Sequence, residues 1–284
     1  MSFSSNHRPF TSQAGTRRAR ATALAVLALA GLAARPARAQ LTVDQLELVI
    51  NPAVPLARTA VFKVRNDADT PQQATLSIGD WDRDESGVNQ FYPSGTRPQS
   101  CGDRLKVFPL TLRLDPGAAQ QVRVTLERAD SLSALCTSIV FLETTRRDPV
   151  PQRGAQLVYV LRTGVKVYVQ PPGLARDGGI EDLRVQPHRR PPNAPSDSST
   201  IEASVAFRNA GGLPLSTKGT IEVRRPDNSV AAKVEVPMFP TLPGALRRVA
   251  VPLPPLGPGQ YVILVLLDFG GAEIAAGQLD FEAR

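Results

Sequence analysis

TAVFKVRN, residues 59–66, decides the fold because its pattern occurs twice. It alternates apolar with polar residues, the period-two pattern of a strand with one buried face. EASVAFRN at 202–209 repeats the alternation and the closing Arg-Asn. A second pair follows in the same order, PGAAQQVRVTL from Pro116 and PGALRRVAVPL from Pro243. Two related units in tandem account for both echoes. The second is the more compact, since Pro243 follows Asn209 sooner than Pro116 follows Asn66.

The stretches between these echoes read the same way. QATLSIGDW (73–81), LTLRLDPG (110–117), QQVRVTL (120–126) and SIVFLETT (138–145) alternate and are separated by turn chemistry such as Asp-Pro-Gly. Twenty-six prolines and 21 glycines break the chain at short spacing, and no helical period is sustained beyond residue 39. The predicted fold class is all-β, two immunoglobulin-like β-sandwich domains in tandem. PPGLARDGG at 171–179 carries the boundary, so residues 40–172 form the first domain and 173–284 the second. Near the end, VILVLL (262–267) is far short of the roughly 20 apolar residues that cross a bilayer. It reads as a buried central strand, followed by a turn at Gly270-Gly271 and a last strand QLDFEA.

Residues 1–39 read as a cleavable secretory signal peptide: Arg17, Arg18 and Arg20, the apolar run ATALAVLALAGLAA, and Ala37-Arg38-Ala39 before Gln40. This implies a periplasmic protein with no membrane insertion after cleavage. The segment holds six of the 33 Lys and Arg residues and none of the 26 Asp and Glu, leaving a mature charge near +1. A near-neutral chain lacks the electrostatic footprint of a nucleic-acid binder.

The two cysteines, Cys101 and Cys136, are expected to form a structural disulfide in an oxidising compartment. A loop of about 35 residues closed in this way contributes about 4 kcal/mol in the chain-entropy model. There is no Cys-x-x-Cys, and of the two histidines His7 leaves with the signal while His188 lies in a Pro- and Arg-rich run. Neither a zinc site nor a histidine-based triad is expected, nor any cofactor or metal. Asp80, Asp82 and Asp84 alternate around Trp81 and read as a solvated strand face rather than a carboxylate pair for catalysis. The chain is read as a non-enzyme. Arg247 and Arg248 likewise read as a solvated face.

AQLVYVLRTGVKVYVQPP, residues 155–172, is longer than a sandwich strand needs. From Ala155 to Gln170 it would span roughly 50 Å, against five or six residues for an ordinary strand. With VRN (64–66), DWDRDESG (80–87), PLTLRLDPGAAQQVRV (109–124), IVFLETT (139–145) and VKVYVQPP (165–172), residues 41–175 resemble the N-terminal domain of the periplasmic pilus chaperones of the chaperone/usher pathway. From Ile180 onward the chain fits a second immunoglobulin-like domain in general terms only.

The resemblance implies that the long strand is lent to an incomplete pilin sandwich. It places Leu157, Tyr159 and Leu161 as the donated apolar residues, and the period of two sets all three on one face. Their competing role is in the protein's own core. The family also holds its client's terminal carboxylate with a lysine on this strand and an arginine on the first strand. Lys166 matches the lysine, but the arginine's place falls on Ile50, and Arg58 lies eight residues further on. The function implied is a periplasmic chaperone for secreted or pilus subunits, with an outer-membrane usher as second partner. The alternative is a structural or adhesive envelope protein without chaperone activity.

Overall fold

The computed structural model describes residues 41–130, 132–149, 156–188 and 201–283. The signal peptide expected at 1–39, and most of the Pro- and Arg-rich run after His188, lie outside them. The first ten strands are β1 (Leu41–Val43), β2 (Glu47–Ile50), β3 (Thr59–Asn66), β4 (Gln72–Arg83), β5 (Asn89–Pro93), β6 (Leu105–Phe108), β7 (Thr111–Leu114), β8 (Ala119–Leu126), β9 (Cys136–Pro149) and β10 (Gln156–Val169). They make two sheets, one ordered β1-β3-β8-β6 and one ordered β2-β10-β9-β4-β5, with β7 also on β4. The remaining strands are β11 (Gly178–Pro187), β12 (Ile201–Asn209), β13 (Leu215–Arg224), β14 (Val230–Thr241), β15 (Leu246–Pro252), β16 (Gly259–Asp268) and β17 (Ala275–Ala283). They form sheets ordered β11-β12-β15 and β14-β13-β16-β17. The fold is all-β, two β-sandwiches in tandem.

The alternation read from the sequence is the alternation of burial. In β3, Phe62 and Val64 point inward, and Val122 and Val124 of β8 meet them from the neighbouring strand. Leu112, Val140, Leu142, Val165, Val167 and Val169 close the first core from the facing sheet. Ala203, Val205 and Phe207 of β12 play the same part in the second core, against Ile221, Val223, Ile263 and Val265. β16 lies inside its sheet as expected, but only one of its faces is buried, and Leu266 on the other is 37% exposed.

The two echoes have a common structural cause. Asn66 and Asn209, each wholly buried, end equivalent strands. Asn66 Nδ2 donates to the carbonyls of Thr70 and Leu114, both at 2.9 Å, while its Oδ1 accepts from the Ala68 amide. Asn209 repeats this with Leu213 and Thr241 at 2.8 and 3.1 Å, and with the Gly211 amide. Its backbone carbonyl accepts from Gly244, just as that of Asn66 accepts from Gly117. Both glycines sit at positive φ, +74° and +75°, where a side chain would strain the turn. Pairing every polar atom of a buried amide is what makes its burial tolerable, so Arg-Asn and Pro-Gly recur together.

A smaller apolar cluster joins the two sandwiches. Trp81, Ile139, Phe141 and Tyr168 on the outer face of the first sandwich pack with Leu135 and with Leu242 from the second, with Leu174 and Ala245 at the margin. Beside it the β4–β5 turn meets β15: Arg248 pairs with Glu85 at 2.9 Å and with Asp182 at 3.3 Å, and Arg247 donates to the Glu85 carbonyl at 2.7 Å. The two arginines, expected as a solvated face, are therefore contacts across the junction.

Candidate functional site

The long strand β10 is unequally covered along its length. Its β9 side is paired throughout, from Gln156 opposite Pro149 to Val169 opposite Cys136. On its other side β2 runs parallel to it only over Lys166–Val169. From Gln156 to Val165 that edge therefore has no partner strand among the described residues. β9 in turn is covered by β4 only from Ile139 to Glu143, so the two strands continue beyond the sandwich as a two-stranded ribbon.

Side chains along the ribbon keep the strand's alternation but lose their cover. Val165, Val167 and Val169 are fully buried in the first core. The same face continues outward through Leu161 and Tyr159, which are 48% and 43% exposed, and the backbone of Leu157 lies next in register, opposite Asp148. Val158 and Val160 are exposed on the opposite face. Neither Tyr159 nor Leu161 belongs to the protein's own core. Folded proteins usually block such an edge with charge, proline or a bulge, and residues 156–161 contain no charge and no proline. Four half-exposed side chains of this size offer a partner on the order of 4 kcal/mol of apolar burial, before ordering costs.

At the inner end of the open edge two cations, Lys166 and Arg83, lie beside the Trp81 ring. Lys166 is on the opposite face of β10 from Val165, with its Nζ 4.6 Å from the centre of the Trp81 ring and 3.6 Å from the Glu47 carboxylate. Glu47 is its partner across the β2 register and also accepts from the Tyr168 hydroxyl at 3.4 Å. Arg83, two residues beyond Trp81 on β4, places its guanidinium 5.7 Å from the same ring. Burial, and then the charge of Arg83, hold the Lys166 ammonium below its ordinary pKa, with Glu47 opposing them. Burial and the Glu47 charge push the Tyr168 phenol up. Burial first, and Arg83 second, also lower Arg247. The sequence pointed to Lys166 alone. Arg83 and Glu47 are brought to it by strand pairing.

Ile50, where the first-strand arginine would fall, is fully buried in the first core. Arg58 donates from Nε to the Pro52 carbonyl at 2.8 Å, in the connection between β2 and β3. Cys101 and Cys136 are not bridged here: both are buried free thiols. Hydrogen bonding with Cys136, then burial, pushes the Cys101 thiol up. Asp80 is not on a solvated face. It is 1% exposed and accepts from the Thr96 and Arg97 amides and, at 2.6 Å, from the Ser100 hydroxyl. It organises the connection from β5 to Cys101. Asp82 pairs with Arg97, and Asp84 caps the β4–β5 turn through Ser86 and the Val88 amide. His188 meets Glu202 at 2.7 Å at the end of β11. Among the described residues no group of three or more His, Cys, Asp or Glu side chains is placed to hold a metal ion, and no helix is long and apolar enough to cross a membrane.

No protein-family model and no curated protein sequence matches the chain. Solved structures do. A class 5 fimbriae chaperone is similar at a TM-score of 0.46 and 11% identity, over 86% of this chain and 99% of that one. The chaperone–tip adhesion subunit complex of the archaic chaperone-usher Csu pili of Acinetobacter baumannii gives 0.45 and 8%, over 84% and 98%. The Salmonella enterica SafA pilin–SafB chaperone complex gives 0.41 and 14%, over 84% and 96%. These are fimbrial chaperone structures, the class that residues 41–175 resemble in sequence. Identities and scores of this order leave the reading of the site to its own geometry.

Proposed function

We propose that the protein is a periplasmic chaperone that binds secreted or pilus subunits by lending them the open edge of β10 and supports their assembly at the outer membrane, where an usher receives them. Residues 40–172 form the donor domain and 173–284 the second immunoglobulin-like domain. The observation that carries this reading is the ten-residue edge Gln156–Val165, unpaired among the described residues, with exposed apolar side chains on both faces of its outer half. An incoming strand of the client gains backbone hydrogen bonds along that edge, and Leu157, Tyr159 and Leu161 enter its groove. Lys166, at the base of the edge, is the cation for the client's terminal carboxylate. No enzymatic step is needed. In the oxidising compartment, Cys101 and Cys136 close a structural disulfide.

The test is a pull-down from periplasmic extract with the mature protein beside a variant carrying Leu157→Ser, Tyr159→Ser and Leu161→Ser. Circular dichroism checks that the variant keeps its fold. We expect the parent to capture a small secreted subunit and the folded variant to lose it. If both fold and neither captures a subunit, the protein is a structural envelope component and strand donation is wrong.

A further inference from the structure

The open edge of β10 changes in chemistry along its length. Outward from the buried Val165, the alternate positions on one face are Thr163, Leu161, Tyr159 and Leu157. Thr163 is half-buried, at the boundary between the protein's own core and the exposed part of the ribbon. On β9, Thr144 lies opposite Leu161 and Leu142 opposite Thr163, so the two threonines are diagonal neighbours on that face. Neither hydroxyl makes a hydrogen bond among the described residues, and neither is sealed from water as the hydroxyls of Ser138, Thr217 and Thr241 are. At the same level the opposite face holds Arg162, paired with Glu143. The edge is thus apolar on both faces at 158–161 and polar on both at 162–163.

Register is where this division matters. Sliding a paired strand by one residue turns its side chains to the wrong face, but sliding it by two keeps the faces. Leu157, Tyr159 and Leu161 are all large and largely apolar, so a two-residue slip exchanges one apolar contact for another. Thr163 breaks the series: once a partner strand covers the edge, its hydroxyl loses water and requires a hydrogen-bond partner. We propose that Thr163, with Thr144 diagonal to it, sets the register of a bound client strand and selects clients that bring a serine, threonine, asparagine or glutamine opposite it. Hydroxyl pairs of this kind form between neighbouring strands, and a single polar position in an apolar series fixes register in coiled coils by the same logic. This rests on the strand-donation reading and adds to it the kind of client strand that the edge accepts.

Valine copies the shape of threonine without its hydroxyl, whereas serine keeps the hydroxyl. Periplasmic extract is passed over the immobilised mature protein and over its Thr163→Val and Thr163→Ser variants, and the captured proteins are quantified by mass spectrometry. Circular dichroism checks that both variants keep the parent's fold. The subunits that the parent captures are expected to fall about tenfold on Thr163→Val, the scale of one hydrogen bond left unmade on burial, and to return on Thr163→Ser. In the isolated complex, the β10 amides are expected to give one set of magnetic resonance signals with the parent and two with Thr163→Val, the second from the slipped register. Equal capture by Thr163→Val with a single set of signals overturns the proposal and leaves strand donation standing. Equal loss on the valine and serine variants also overturns it, because packing rather than the hydroxyl would then be at work. A parent that captures no subunit removes strand donation, and this inference with it.

Discussion

Lys166 is a charge held where its surroundings disfavour it. Its ammonium is half-buried, faces Arg83, and has only an exposed carboxylate in compensation. A binding site kept ready for an anion costs the free protein some stability in this way. Lys166→Met keeps the stem against Trp81 and removes the charge, so the variant is expected to unfold at higher urea than the parent at neutral pH while losing carboxylate binding. The sign of the pH dependence follows from the lowered folded-state pKa. Between that value and the ordinary lysine value near 10.4, the unfolded chain binds the extra proton, so the parent gains stability as pH rises through this window. The difference in urea midpoint between variant and parent should therefore narrow as pH rises toward 10, and an unchanged or widening gap would contradict the account. Lys166 was legible in the sequence because it sits in a strand with a clear period. Arg83 was not: its relation to Lys166 depends on β9 lying between β4 and β10, and no local pattern encodes that neighbour.

Strands are the scale at which the sequence was most legible, because a half-buried strand writes its period into its residues. β3, β8 and β12 could be read directly, and Asn66 and Asn209 explain why the motif recurs. The extent of the open edge was less legible. β10 reads as one strand from end to end, yet only its last four residues gain a β2 partner, and nothing within 155–172 marks that change. Asp80 was misread for a related reason: alternation placed it on an outer face, but the loop carrying Thr96, Arg97 and Ser100 folds over that face and buries it. The same loop delivers Cys101 to Cys136, where the Cys101 and Thr137 backbones already bond at 3.3 Å. Oxidation should thus fasten the loop to the first residue of β9. Mass spectrometry of the exported protein without reductant is expected to find the pair two hydrogens lighter. Cys101→Ala should lower stability by about 2–4 kcal/mol relative to the oxidised parent. A parent whose urea midpoint is unaffected by reductant would show that the bond contributes nothing.

At the scale of the whole molecule, the question is whether the two sandwiches act as one body. The charged contacts between them are poor candidates for holding them together. Arg248 and Glu85 are both largely exposed, and exposed pairs contribute little. The apolar seam is different: Leu242 is 6% exposed and belongs to the cluster with Trp81, Tyr168 and Ile139 rather than to the core of its own sandwich. That seam also contains the Trp81 ring against which the Lys166 ammonium lies, so the second sandwich packs against the support of Lys166. Truncating Leu242 to Ala removes apolar contact from the Trp81 side of the junction while leaving both main cores complete. The expected result is a red shift of Trp81 emission as water reaches the ring. Urea unfolding should also lose coincidence: in the parent, Trp81 fluorescence and far-ultraviolet dichroism trace one transition, whereas in the variant the two sandwiches unfold separately and the curves part. If the curves still coincide in a variant whose emission has shifted, the coupling runs through the β4–β5 turn on β15. Glu85, Arg247 and Arg248 would then be the residues that set the junction's geometry.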